Sequence, residues 1–307
     1  MTSDTPIANP QRILPAWRDY LELTKPRVVL LIVFTALVGM FLAVPGVPPL
    51  RALLLGSLGI WLAASSAAVV NHVIDQRIDS EMARTRHRPL PEGKMDELRA
   101  VLFSLVLGAS SMLLLTCWVN ALTALLTFAS LIGYAIVYTL WLKRATPQNI
   151  VIGGAAGAMP PVLGWTTVTN DVHANALLLF LIVFAWTPPH FWALAIARRE
   201  EYAKIGMPML PVVYGVALTR LHIVLYTLIL TIVTILPVLT GMSGLVYGAI
   251  ALVLDAIFLW HVWRLYRDGD ADLARPMRTF WWSIAYLGYL FGALLVDHYA
   301  SPLLARL

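Results

Sequence analysis

Ala52-Leu-Leu-Leu-Gly-Ser-Leu-Gly-Ile-Trp-Leu-Ala-Ala-Ser-Ser-Ala-Ala-Val-Val70 runs without a charge and ends in Asn71-His-Val-Ile-Asp75-Gln-Arg-Ile-Asp79. An apolar run of about 18 or more residues is long enough to cross a hydrocarbon core of ~30 Å as a helix. The polar tail marks where this one leaves the bilayer. Similar runs lie on both sides, and the expected spans fall near 28 to 44, 50 to 70, 99 to 117, 121 to 142, 149 to 166, 176 to 197, 220 to 240, 244 to 264 and 279 to 296. The fold class expected is therefore all-α, a polytopic membrane bundle of about nine transmembrane helices.

Composition agrees. The chain is 59% hydrophobic and 13% charged, with a mean hydropathy of +0.76, whereas soluble domains carry about 25% charged residues. A net charge of +5 does not point to nucleic acid, because the basic residues sit between the apolar runs rather than on a polar domain. The single Cys117 excludes an intrachain disulfide, and no Cys/His zinc spacing occurs. Residues 1–27 read as a polar cytoplasmic N-terminal segment without the apolar core of a cleavable signal, and 28–307 as one transmembrane domain.

Connections alternate in charge. Those near Pro45 to Pro49, Trp118 to Asn120, Thr169 to Asn175 and Gly241 to Gly244 are short and nearly free of Lys and Arg. The others hold Arg77, Arg84, Arg86, Arg88 and Lys94, then Lys143 and Arg144, then Arg198, Arg199 and Lys204, then Arg264, Arg267, Arg275 and Arg278. By the positive-inside rule the basic face is cytoplasmic, as are Arg12, Arg18, Lys25 and Arg27 before the first span. The expected N-terminus is inside and the C-terminus outside, in the periplasm of a bacterial inner membrane.

A spacing of four places Asn71, Asp75 and Asp79 on one helical face, successive members about 6 Å apart. Stacked carboxylates repel, and more so at a membrane boundary, so the arrangement calls for a cation. Magnesium fits a sparse set of oxygen ligands completed by water and phosphate. Asn71, Asp75 and Asp79 are thus the candidate metal ligands. Arg84, Arg86 and Arg88 follow at once, and guanidinium groups suit phosphate oxygens. The competing reading is that these acids and arginines simply pair with one another.

The pattern Asn71-x-x-x-Asp75-x-x-x-Asp79 with Arg84-Thr-Arg-His-Arg88-Pro resembles the first aspartate-rich motif of the intramembrane aromatic prenyltransferase (UbiA-type) superfamily. More narrowly, five further strings resemble its protoheme IX farnesyltransferase (heme O synthase) branch. They are Leu23-Thr-Lys-Pro-Arg27, Leu142-Lys-Arg144, Gly157-Ala-Met-Pro-Pro161, Thr187-Pro-Pro-His-Phe-Trp192 and Met207-Pro-Met-Leu-Pro211. The match runs from about residue 20 to the last span. The resemblance implies a helical bundle around a central cavity, with magnesium and diphosphate at its cytoplasmic mouth. It implies farnesyl transfer from farnesyl diphosphate to a vinyl group of heme b, which is a substrate rather than a cofactor. It also implies contact with heme A synthase or terminal-oxidase assembly proteins.

Departures matter too. Superfamily members carry a second pair of aspartates four apart, whereas Arg198-Arg-Glu-Glu-Tyr202 offers Glu201 with Ala197 and Ile205 on either side. Two roles stay open for Glu201: completing one catalytic metal site, or pairing with Lys204 or Arg198. Quinone-pathway relatives place a tyrosine four residues before the lysine of the fourth span; here Thr139 precedes Lys143, which turns the acceptor away from a hydroxybenzoate. The candidate diphosphate-binding residues are Arg84, Arg88, Lys143 and Arg198. His190, after Pro188 and Pro189, is either a heme iron ligand or a hydrogen-bonded boundary residue. His72, beside the metal-binding face without lying on it, is the other heme-binding candidate. A transporter would place its acids at the bilayer midplane, where only Asp255 is expected. A non-catalytic oxidase assembly factor would not require aligned Asp75 and Asp79.

Overall fold

The computed structural model describes residues 15–267, 272 and 274–304. Of the expected N-terminal segment, residues 1–14 with Arg12 lie outside the described residues, as do 305–307. The described chain is helical throughout: α1 Trp17–Leu23, α2 Pro26–Leu42, α3 Ser57–Glu81 entered through a π-helical turn Ala52–Gly56, α4 Glu97–Trp118 and α5 Ala121–Ile132. A π-helical stretch Gly133–Leu142 then leads into α6 Lys143–Ala145, followed by α7 Asn149–Ala158, α8 Pro160–Thr169 and α9 Ala174–Ala197. The remainder are α10 Arg199–Lys204, α11 Leu210–Val213, α12 Val216–Leu239, α13 Leu245–Arg267 and α14 Arg275–Leu304.

Seven of these runs are long and apolar enough to cross a bilayer alone, or eight if the bent pair α1 and α2, at 53° to each other, is one span. The expected single span at 149 to 166 is corrected to two ten-residue helices, α7 and α8. Pro160 and Pro161 lack the N–H groups that would tie α8 to the preceding turn, so the hydrogen-bond ladder breaks at Met159. Many of the most exposed side chains on the helices are apolar, among them Leu30, Val106, Leu125, Trp141 and Ile232, as a lipid-facing surface requires.

Small residues set the closest crossing. A Cβ on Gly39 of α2 would lie 2.2 Å from the carbonyl oxygen of Pro161, and one on Gly164 of α8 would lie 1.9 Å from that of Ala36. The two backbones touch, which only glycine permits. The main core joins α9, α12, α13 and α14 through fully buried Leu179, Trp192, Ile223, Leu230, Phe258, Tyr286 and Phe291. Asp255 is buried there. It accepts hydrogen bonds from Thr234 Oγ1 at 2.8 Å and Tyr286 Oη at 2.5 Å, so it is a satisfied strut between α12, α13 and α14.

The ends of the bundle separate as the loop charges predict. Residues 42–45, Trp165, Thr169, Asp171, His173, Asn175, 241–244 and 297–298 line a cavity of about 680 Å³ at one end. The carboxylates of α3, Lys143 and the second long basic loop, 198–209, gather at the other.

Candidate active site

The last turns of α3 carry Asn71, Asp75 and Asp79, all three buried. Their four-residue spacing holds in space: Asn71 Nδ2 donates to Asp75 Oδ2 at 2.9 Å and, more weakly, to Thr139 Oγ1 at 3.5 Å. Cations converge on them from distant parts of the chain. Lys143 Nζ donates to Asp75 Oδ2 at 2.6 Å, Arg88 Nη1 donates to Asp79 Oδ2 at 2.6 Å, and Lys25 Nζ donates to Asn71 Oδ1. Loop 82–96 returns Arg88 to α3 because Thr85 Oγ1 donates to the Asp79 carbonyl at 3.0 Å.

The π-helical stretch shapes the opposite wall. A π turn advances by more residues than an α turn and is often found where function needs a displaced side chain. Thr139 Oγ1 donates to the Tyr134 carbonyl at 2.8 Å, and Tyr134 and Tyr138 stack with centroids 5.5 Å apart. Tyr138 lies against Gly153 of α7, where a Cβ would meet the ring at 2.2 Å. Together with Arg84, Phe191, Tyr202, Met207 and Met209 these groups enclose a cavity of about 160 Å³. Burial pushes the Tyr202 phenol up from its ordinary value, so it stays a neutral donor at the mouth.

Among the described residues no three His, Cys, Asp or Glu side chains converge as a closed metal cage. The site offers two carboxylates and an amide, and Oδ1 of Asp75 is buried without a hydrogen-bond partner. This is the donor set suited to a magnesium ion whose other ligands are water and phosphate. The ring of lysines and arginines around it suits an anion of high charge.

Not every residue singled out in the sequence joins this cluster. Glu201 Oε1 accepts from Arg198 Nη1 at 2.6 Å; the pair sits beside the cavity, whose wall Tyr202 reaches instead. His72 is buried on the neighbouring face of α3, and neither ring nitrogen has a partner among the described residues. His190 faces α14 rather than the carboxylates, while Phe191 and Ala195 of the same helix line the cavity. Conversely, sequence reasoning took Lys25 as a topology marker and passed over Tyr134, Tyr138 and Tyr202. Lys25 had a local signal. It precedes Pro26, which disfavours the right-handed helical region, and it caps α2 in a left-handed conformation at φ 50°. Tyr134 and Tyr138 lie four apart on the run that ends in Lys143, a spacing easily read as packing.

Residues 32–284 match the model of the UbiA prenyltransferase family. The chain belongs to that family. Among its relatives, the "Protoheme IX farnesyltransferase" of Marinobacter nauticus is 61% identical over 96% of this chain and 97% of that protein. The protein of the same name from Methylococcus capsulatus is 59% identical over 92% and 95%. Solved structures of lower identity share the fold of this UbiA-family chain. A digeranylgeranylglyceryl phosphate synthase superposes with a TM-score of 0.77 at 18% identity, covering 92% of this chain and 98% of that one. A UbiA homolog from Archaeoglobus fulgidus bound to GPP and Mg2+ superposes with a TM-score of 0.68 at 18% identity, covering 90% and 99%.

Proposed function

We infer that this chain is a protoheme IX farnesyltransferase, which moves the farnesyl group of farnesyl diphosphate to a vinyl group of heme b, with addition of water, to give heme O. The observation that carries this reading is identity near 60% to proteins of that name over nearly the whole chain. The chemistry of the cavity supports it. Asp75 and Asp79, with Asn71, are the residues that would hold magnesium. Held there with the diphosphate, magnesium would neutralise part of its charge and make it a better leaving group.

The chain's own cations share that task. Lys143 and Arg88 are already within 2.6 Å of Asp75 and Asp79, so a diphosphate at these acids lies within their reach, with Arg84 and Lys25 on the same wall. As the carbon–oxygen bond breaks, its electron pair stays with the diphosphate, and fixed cations stabilise that charge without reorganising. The allylic cation left behind faces the stacked rings of Tyr134 and Tyr138, whose negative π faces attract it. Phe191, Met207 and Met209 restrict water there. The vinyl π electrons form the new carbon–carbon bond, and water captures the cation beside the porphyrin and releases a proton.

Glu201 and Arg198 serve as an ion pair holding the 198–209 loop at the mouth, with Arg198 able to turn to a phosphate. His190 is the iron ligand, and His72 is a packing neighbour of the metal-binding face rather than a second ligand. The enzyme sits in the bacterial inner membrane with its N-terminus and active site cytoplasmic and its C-terminus periplasmic. Its product passes to heme A synthase or to assembly of a terminal oxidase. The deciding experiment supplies purified protein with farnesyl diphosphate, magnesium and either heme b or 4-hydroxybenzoate, and weighs the products. Farnesylated hydroxybenzoate with unmodified heme would overturn the acceptor.

A further inference from the structure

Ser283 of α14 makes three polar contacts, two of them to α9. Its hydroxyl donates to the Phe280 carbonyl at 2.6 Å, its own carbonyl accepts from Trp186 Nε1 at 2.7 Å, and its Oγ lies 2.7 Å from His190 Nδ1. A serine hydroxyl has one proton and two lone pairs. With that proton donated to the Phe280 carbonyl, the serine oxygen is left to accept from His190. In that arrangement Nδ1 of His190 carries the proton and the neutral imidazole has its lone pair on Nε2. The ring is also fixed in plane: it stacks on Trp186 at 4.2 Å and 18° and on Phe280 at 4.6 Å and 24°. No hydrogen bond to Nε2 is made among the described residues.

We propose that Ser283 is a positioning residue that sets the tautomer and orientation of His190, so that Nε2 is presented as a ligand to the iron of heme b. The proposal rests on the reading of heme b as acceptor and His190 as its iron ligand. Histidines that bind metals commonly donate their other ring proton to an oxygen, and losing that oxygen typically weakens metal affinity 10- to 100-fold. The Trp186 bond uses the Ser283 backbone, so a side-chain change leaves that contact in place.

The test titrates heme b into the full-length protein in lipid nanodiscs and records absorption and the ferrous iron–histidine stretching mode by resonance Raman. The comparison is wild type, His190→Ala, Ser283→Val and Ser283→Thr. Val and Thr have the same shape and differ in the hydroxyl, and binding of magnesium farnesyl thiodiphosphate reports that each variant is folded. The expected result is that His190→Ala loses the histidine mode and Ser283→Val weakens heme binding about 10-fold or more and shifts the mode. Ser283→Thr restores both. A wild-type spectrum and affinity in Ser283→Val, with the mode lost in His190→Ala, overturns the role of Ser283 and leaves the ligand assignment standing. A wild-type spectrum in His190→Ala overturns the ligand assignment, and the role of Ser283 with it.

Discussion

The ammonium of Lys143 lies 2.6 Å from Oδ2 of Asp75, its partner from 68 residues earlier in the chain, and both side chains are largely buried. Breaking such a pair on one side strands a charge at a cost of about 3–5 kcal/mol, while removing both halves does not. Lys143→Met is therefore expected to lower thermal stability in detergent, and Asp75→Asn combined with Lys143→Met to recover most of it. Turnover should stay lost in the double variant. Recovery of turnover along with stability would show that the pair is a strut and nothing more.

In the proposed reading Asp75 and Asp79 hold the cation, and Asp75→Asn or Asp79→Asn removes a charge from its site. Each is expected to reduce heme O formation by about 100-fold or more, measured by mass on protein whose membrane insertion is verified. Turnover at the parental rate in either variant would remove the metal-binding role.

Lys25→Met is expected to weaken magnesium-dependent pyrophosphate binding about 10-fold by calorimetry, with Lys25→Arg intermediate, because its amine reaches Asn71 on the cavity wall. Unchanged pyrophosphate affinity in Lys25→Met would return this residue to a topological role.

Gly164→Ala places a methyl 1.9 Å from the Ala36 carbonyl and must push α2 from α8. A loss on the order of 1–3 kcal/mol is expected, seen as a lower melting point of the purified protein. Gly157→Ala, on the preceding helix α7 with nothing within 4 Å of the added methyl, serves as the neutral control.

Asp255→Leu deprives Tyr286 of its acceptor, costing about 1–3 kcal/mol for the buried hydroxyl left unsatisfied, whereas Thr234 keeps the Thr231 carbonyl at 2.9 Å. Heme O output per folded molecule is expected to stay at the parental level. A selective loss of turnover without loss of stability would give this acid a functional part.

The legible and the illegible parts of the site divide by distance along the chain. Asn71, Asp75 and Asp79 could be placed on one face because helical periodicity is local, and the bilayer demands a charge-free run before them. The apolar runs likewise dictate helices, since the hydrocarbon core offers the backbone no other partner. The break at Met159 was written in Pro160 and Pro161 but hidden by the hydropathy of the run around it.

What only the tertiary structure decided is which cations reach those acids, which aromatic rings line the same cavity, and which side chains flank His190. Lys25 and Lys143 arrive from 46 residues before and 68 residues after their partners, and Ser283 reaches His190 across 93 residues. Periodicity reports only neighbours a turn away. Packing of α2 on α8 at Gly39 and Gly164, and of α9 on α14 through stacked rings, is what brings such distant groups within hydrogen-bond reach.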